Sequence, residues 1–415
     1  MQEKPAVARN PWWIVLGSVL GLTVGNGPVM QFTFGVFVKP LTAQFASDRG
    51  TISLALTLGL LLTGLCTPVV GHLVDRFGVR AVSLPAITLF ALATVSLGFF
   101  ADSALAFLVI YAIMGVFAAG QTPLPYAKAV SAAFDRQRGL ALGVTMAGVG
   151  LGTVLLPMFA QIMIGAVGWR GAYVGLGGVL FVVAFPAVLF LLKDGRPMHQ
   201  RGPAADQQQT GMTGGEAVRC GSFWLLGAAF FFVALACAGM LAHIVALMTD
   251  RGVPAREAAA AISLGGMAMI GGRLLSGWLL DRVFAPHVAL VFVLSPLLGV
   301  GLLLLTHGAG VAMVATVLVG IGLGAEVDLI AFLISRYLGL RAFGQIYGYL
   351  FLAFLVGSAL GPFLMGFSFA RTGNYGTTMI GFMLGLGVAA TLLMRLGAYR
   401  FGGNDARVEP APARA

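Results

Sequence analysis

Four ionisable side chains, Arg273, Glu326, Asp328 and Lys128, fall inside long apolar runs. Ionisable groups in such runs are costly to bury and therefore mark function. Arg273 carries a permanent charge on a planar fork that can grip a carboxylate through two parallel hydrogen bonds. It stands eight residues before Asp281, so about 12 Å of helix separates it from that end. The alternative is an arginine neutralised by a buried acid on a neighbouring helix, which would make it a packing element. Glu326 and Asp328 stand ten and eight residues before Arg336, about 15 and 12 Å in. Two residues apart on a helix is a turn of about 200°, so they face opposite sides and one of them sees a cavity. A carboxylate beside a cation can take up a proton as an anion arrives; it can equally be a packing ion pair with Arg273, Arg282 or Arg336. Lys128 is a further proton-coupling candidate, with snorkelling towards water as its bland alternative. His243, near the end of another run, could shuttle protons or simply be hydrated. Tyr126, Gln121, Asn26, Gln31 and Tyr347 could donate to a carboxylate or orient it, although helix contacts and boundary positions explain such residues too. No metal cluster, nucleotide loop or nucleophile–base grouping is legible, so neither a cofactor nor enzymatic chemistry is expected.

These side chains must be positioned by elements buried in lipid. Of the 415 residues, 59% are apolar and only 10% charged, where soluble domains carry about 25%. Disorder, a nucleic-acid-binding domain and a disulfide scaffold are excluded on that ground; the three cysteines are expected to be reduced and structural. A bilayer core about 30 Å thick needs roughly 20 apolar helical residues. Twelve runs qualify, near 12–37, 52–74, 81–100, 103–130, 138–165, 170–192, 222–248, 257–280, 287–305, 310–335, 344–368 and 376–398. With the N-terminus inside, seventeen of the 25 Lys and Arg fall on the cytoplasmic side and six on the other. The positive-inside rule then puts both termini in the cytoplasm, and the net charge of +10 reads as topology rather than as affinity for a polyanion. The expected organisation is an N-terminal six-helix bundle (1–192), a polar cytoplasmic linker (193–221), a C-terminal six-helix bundle (222–400) and a disordered tail (401–415).

The two halves repeat. Gly71-His72-Leu73-Val74-Asp75-Arg76 and Gly277-Trp278-Leu279-Leu280-Asp281-Arg282 share the pattern G-x-L-x-D-R at an offset of 206, and Gly143, Gly152 and Pro157 recur as Gly348, Gly357 and Pro362 at an offset of 205. Parallel repeats place a site at the midplane between halves that rock against each other. The glycine permits close approach of helices, while Asp and Arg can meet helix ends or charges across the gap. Asp75, Arg76, Asp281 and Arg282 are accordingly expected to gate. The position equivalent to Arg273 in the first half is Thr67, so the scaffold does not itself require an arginine there.

The decapeptide Gly71–Arg80 resembles the loop signature of the major facilitator superfamily. Phe134–Gly152 with Pro157 and Gly168-Trp169-Arg170, Gly272-Arg273 with Gly277 and Asp281-Arg282, and Glu326–Gly339 resemble the monocarboxylate porter branch. The resemblance implies twelve transmembrane helices in two pseudo-symmetric bundles, an all-α membrane protein. It also implies that Arg273 holds a substrate carboxylate. Departures are equally plain. Animal members carry an Asp one turn before that Arg, where this chain has Met269, and a Lys in the first helix, where it has Gln31, Phe32 and Thr33. Oxalate/formate antiporters would ask for a second cation in helix eleven, and Phe343–Gly366 contains none. One central cation suits a monoanion.

The expected function is secondary transport of a small organic monoanion, such as lactate, pyruvate or an aromatic or short-chain acid. Proton symport by a monomer in the inner membrane is the expected mode, the partners being the anion, the proton and lipid. Rivals are an anion exchanger or a drug-efflux carrier of the same superfamily, for which Glu326 would outweigh Arg273, and a receptor that binds without transporting.

Overall fold

The computed structural model describes residues 10–47, 49–135, 137–192, 211–305 and 308–401. Every predicted apolar run is helical. Among the described residues ten stretches are long and apolar enough to cross a membrane. One of them, Arg138–Leu191, turns back on itself at Gly168, whose φ of 75° lies in the left-handed region that glycine tolerates, and so supplies the fifth and sixth spans. The 26-residue helix Ala255–Leu280, which carries Arg273, completes twelve. The first span runs from Trp12 through Phe45, and the second, third and fourth are Arg49–Phe77, Val79–Phe100 and Ala104–Ala133. The seventh is Gly221–Asp250, the eighth Ala255–Leu280 and the ninth Ala285–Leu305; Ala309–Tyr337, Phe343–Thr372 and Gly376–Met394 follow. Several helices outrun the apolar segments that predicted them because helix continues past the hydrocarbon boundary.

The repeat is visible in the packing. In the first half, spans 1 and 5, 2 and 4, and 3 and 6 lie against each other; in the second half spans 7 and 11, 8 and 10, and 9 and 12 do the same. Between the halves, span 2 meets span 11 and span 5 meets span 8, two versions of one contact. Both described chain ends lie on one face, called here the terminal face: Trp12 packs edge-on to Phe134, and the amides of Arg400 and Phe401 both donate to Arg336 O. The three cysteines are free. The end of the linker is structured, with a short helix Gly214–Val218 capped by Thr213; residues 193–210 and the tail beyond Phe401 lie outside the described residues.

Two spans of the first half are broken, and the local sequence explains both breaks. In span 1, Pro28 removes a backbone donor, and the chain widens into a π-turn over Gly27–Phe32. In span 4, a 3₁₀ turn Ala119–Gln121 leads to extended Thr122, and Pro123 restarts the helix. The breaks abut, since a Cβ on Gly25 would stand 3.1 Å from Gln121 O. Interrupted spans free polar groups at membrane depth, and they place Asn26 and Gln121, both buried, at one level of the bundle.

Candidate functional site

The eighth, tenth and eleventh spans bring a polar cluster together inside the second half. Arg273, 5% exposed, points at Asp328, which is fully buried; Nη1 and Oδ1 are 3.9 Å apart. Ser276, one turn along from Arg273, donates to Asp328 Oδ2 at 3.4 Å. Tyr347, on span 11, is fully buried and close enough to interact electrostatically with both charges. Phe343 and Phe351 pack against its ring.

This corrects one expectation. Arg273 is not a lone cation, because Asp328 answers its charge. The pair is nevertheless loose. Charge-assisted N–H···O bonds are about 2.7–2.9 Å long. Arg273 Nε and Nη1, Asp328 Oδ1 and the Tyr347 hydroxyl have no hydrogen-bond partner among the described residues. Buried polar groups are nearly always paired, and each one left over costs about 1–3 kcal/mol. Three of these atoms are donors and one, Asp328 Oδ1, is an acceptor, so the cluster has hydrogen-bonding capacity left over.

Glu326 and Asp328 do face opposite ways, as their spacing requires. Glu326 is turned into the interior of the second half, where it lines a small apolar pocket with Phe230, Val233 and Phe292, away from Arg273. The remaining residues fall elsewhere. Tyr126 donates to Gln121 Oε1 within the first half, and both are fully buried. Asn26 lies at the break in span 1, while Gln31 beyond it is exposed. None of these four contacts Arg273 among the described interactions. His243 lies against Pro362 O, with Nε2 at 3.1 Å, and near the Tyr375 ring; it ties span 7 to span 11 and is no part of the cluster. Ser276 carries no sequence signal beyond its position one turn after Arg273.

The aspartates of the repeated hexapeptide span the gap between halves. Asp75 accepts from the amides of Gly344 at 2.9 Å and Gln345 at 2.8 Å, at the start of span 11. Asp281 accepts from the amides of Gly139 at 2.7 Å and Leu140 at 2.8 Å, at the start of span 5. A helix start offers free N–H groups and partial positive charge, which a carboxylate satisfies. Burial raises the Asp281 carboxyl above its ordinary value, while the two amides, Arg282 and Arg336 act to lower it.

The neighbouring residues differ from expectation. Lys128 pairs with Asp75 at 2.6 Å and donates to Val74 O at 2.8 Å, which puts it in the terminal-face contact rather than at a proton path. Arg76 stacks on Phe77 with its guanidinium 5.2 Å from the ring centroid, and Arg282 on Trp278 at 4.2 Å, so the aspartates rather than the arginines cross the gap. Asp135, absent from the expected set, pairs at 3.4 Å with both Arg138 and Arg336, and Arg138 donates to Ser335 across the halves at 3.0 Å.

Glycine is what lets the halves close here. A Cβ on Gly71 would run into the carbonyl oxygen of Gly344, and one on Gly277 would stand 2.6 Å from Gly139 O. Backbone cannot swing aside as a side chain can. Gly71→Ala should cost about 1–3 kcal/mol of overpacking against the closed contact, a shift of about 5- to 150-fold in its population. A closed population lowered at least about fivefold, read from spin-label distances between the halves with the protein still folded, is the expected outcome, with Gly277→Ala somewhat milder.

The sequence profile of the Major Facilitator Superfamily matches residues 20–362. Human monocarboxylate transporter 11 is 27% identical over 385 residues, covering 88% of this chain and 78% of that protein. Bovine monocarboxylate transporter 13 is 28% identical over 394 residues, covering 92% of this chain and 89% of its own. Among solved structures, the fucose:proton symporter of E. coli superposes with a TM-score of 0.73 at 14% identity, covering 92% of this chain and 97% of that one; at that identity the likeness speaks for the fold alone.

Proposed function

Because the chain belongs to the Major Facilitator Superfamily and is a multi-pass membrane transporter rather than an enzyme, we propose that it carries a small organic monoanion together with a proton. The cargo class is a monocarboxylate of the size of lactate, pyruvate or a short-chain or aromatic acid. The observation that carries this reading is the unsatisfied cluster, in which Arg273 Nε and Nη1 and the Tyr347 hydroxyl donate to nothing. A carboxylate is a group that can accept from the Arg273 guanidinium and the Tyr347 hydroxyl together. The monocarboxylate transporters among its relatives support the same class.

Charge arithmetic then supplies the coupling. Empty, Arg273 and Asp328 sum to zero. A carboxylate binding Arg273 while Asp328 stays ionised leaves one uncompensated negative charge in a dry site, which costs several kcal/mol. A proton on Asp328 restores neutrality, so the loaded cluster holds one anion and one proton. Both neutral forms can be enclosed in lipid and the half-loaded form cannot, which ties the two fluxes together. Asp328, on span 10, thus takes the part that an acid on the eighth helix plays in the animal branch, where this chain has Met269. Glu326 faces the bundle interior and has no place in the exchange.

Alternating access follows from the repeat. The Asp75 and Asp281 contacts close the terminal face; their release, with the halves rocking, opens it. The distribution of Lys and Arg supports placing that face in the cytoplasm of a cell whose plasma (inner) membrane holds the carrier. The cargo path lies between the halves of a single chain, so a monomer suffices.

The test is uptake into proteoliposomes under an imposed pH gradient. Wild type is expected to accumulate monocarboxylate when the outside is acid. Asp328→Asn is expected to lose at least about 90% of gradient-driven accumulation but to keep anion counterflow, because Arg273 still binds cargo while nothing titrates. Accumulation unaffected by Asp328→Asn would refute the coupling role, and counterflow indifferent to the pH gradient in wild type would make the carrier an exchanger.

A further inference from the structure

A cavity lies on the terminal face, apart from the Arg273 cluster. It opens where three distant parts of the chain meet, and its volume of about 410 Å³ is within the range of small-ligand sites. His72, Asp75 and Arg76 of span 2 form one wall, and Arg341 and Gln345 at the start of span 11 the second. Thr213 and its neighbour Gly214 form the third. That third wall is pinned to the second half: Met212 N–H donates to Leu338 O at 2.8 Å, and Gly211 forms an antiparallel bridge with Gly339.

The charge in this cavity is positive and incompletely answered. Asp75 is the acid in its lining, but both oxygens are engaged: Oδ1 by Lys128 and Gly344, Oδ2 by Gln345. With Lys128 answering Asp75, the guanidinium groups of Arg76 and Arg341 have no acid partner among the described residues, and Arg76 lies against the Phe77 ring at 5.2 Å. Arg341 Nε is shielded from solvent and has no hydrogen-bond partner among the described residues.

The pseudo-symmetric contact shows what is missing. At an offset of 205, Leu340 stands where the first half has Asp135, and at 206 His72 stands where the second half has Trp278. Around Asp281, the Trp278 ring covers Arg282, and Asp135 answers Arg138 and Arg336. Around Asp75 neither the indole nor the acid is present. A cavity occupies the space, with two arginines and a histidine on its walls.

We propose that this cavity binds a phosphate-type anion between Arg76 and Arg341, and that the bound anion holds the terminal face closed. Guanidinium forks match phosphate oxygens in geometry and charge. Arg76 belongs to one half and Arg341 to the other, so the site exists only while the halves are together. A ligand that binds one state alone shifts the equilibrium towards it. The phosphate can belong to a soluble ion or to the headgroup of an anionic lipid, since both present the same oxygens to the same arginines.

Titration of the purified full-length chain with inorganic phosphate, followed calorimetrically in phosphatidylcholine nanodiscs at constant ionic strength, tests the site. Saturable binding is expected, weakened tenfold or more in Arg341→Gln and in Leu340→Asp, which restores the acid of the mirror contact. Two variants of opposite chemistry guard against a folding artefact, and each must keep a wild-type thermal midpoint in the absence of phosphate. Spin labels on the terminal ends of spans 2 and 11 should report a larger closed fraction with phosphate present. Repeating the titration in phosphatidylglycerol nanodiscs separates the sources: loss of phosphate binding there identifies the headgroup as occupant, unchanged binding identifies the soluble ion, and both support the site. Absence of saturable binding in phosphatidylcholine, binding indifferent to both variants, or a closed fraction that does not rise would overturn the proposal.

Discussion

Arg273→Gln is expected to reduce monocarboxylate uptake by about 100-fold or more, since two charge-assisted hydrogen bonds to cargo at roughly 1.5–3 kcal/mol each disappear. The same change should also destabilise the protein. Asp328, fully buried, would lose the cation 3.9 Å away, and removing one member of a buried pair costs about 3–5 kcal/mol. Thermal unfolding in detergent together with proteoliposome uptake separates the two effects once Asp328→Asn is added. The double variant has no unpaired charge, so its stability should return towards wild type while uptake stays lost. If the pair were only a packing element, uptake would return with stability. Arg273→Lys keeps the charge but not the planar fork, and is expected to fold and to transport at least about tenfold more slowly. An arginine locked to its acid by short, fully satisfied hydrogen bonds would leave no part for cargo; here the Nε and Nη1 donors are unused.

Asp75→Asn and Asp281→Asn are expected to open the terminal face. Each carboxylate accepts two amides from the first turn of a helix in the other half. An amide side chain keeps one acceptor and loses the charge, so at about 1.5–3 kcal/mol per charged bond the closed state loses a large part of what holds it. Asp75→Asn should have the larger effect, because Lys128 at 2.6 Å is then left half-buried beside a neutral partner. Distances between spin labels across the terminal face would lengthen in both variants, most in the double variant. Distances unchanged in the double variant would show that these contacts do not hold the gate.

Much of this was legible in the sequence because the governing signals are local. Apolar run length dictates the spans, and the hexapeptide at an offset of 206 dictates two equivalent contacts. The depth of Arg273 follows from counting eight residues to Asp281. The opposite facing of Glu326 and Asp328 follows from helical period alone. What escaped depends on which helices become neighbours. Depth and helical period leave Arg273, Arg282 and Arg336 all open as partners of Asp328, and only the fold selects Arg273, 3.9 Å away; nothing along the chain says that Lys128 meets Asp75. His243 looks like a proton carrier in isolation and lies instead against the Pro362 carbonyl of span 11. Asp135 stands in a polar turn, where acids are ordinary, so its sequence context does not reveal that it bridges Arg138 and Arg336. The basic cavity could not be read at all, since its walls come from segments more than a hundred residues apart.

The central claim is that cargo displaces Asp328 from Arg273 and that Asp328 then takes a proton. Calorimetric binding of a monocarboxylate in buffers of different ionisation enthalpy counts protons directly. With Asp328 ionised in the empty carrier, wild type is predicted to take up about one proton for each anion bound, and Asp328→Asn to bind the anion with no proton uptake, in keeping with charge neutrality in a dry site. Monocarboxylate binding in wild type without proton uptake, or uptake that persists unchanged in Asp328→Asn, would contradict it.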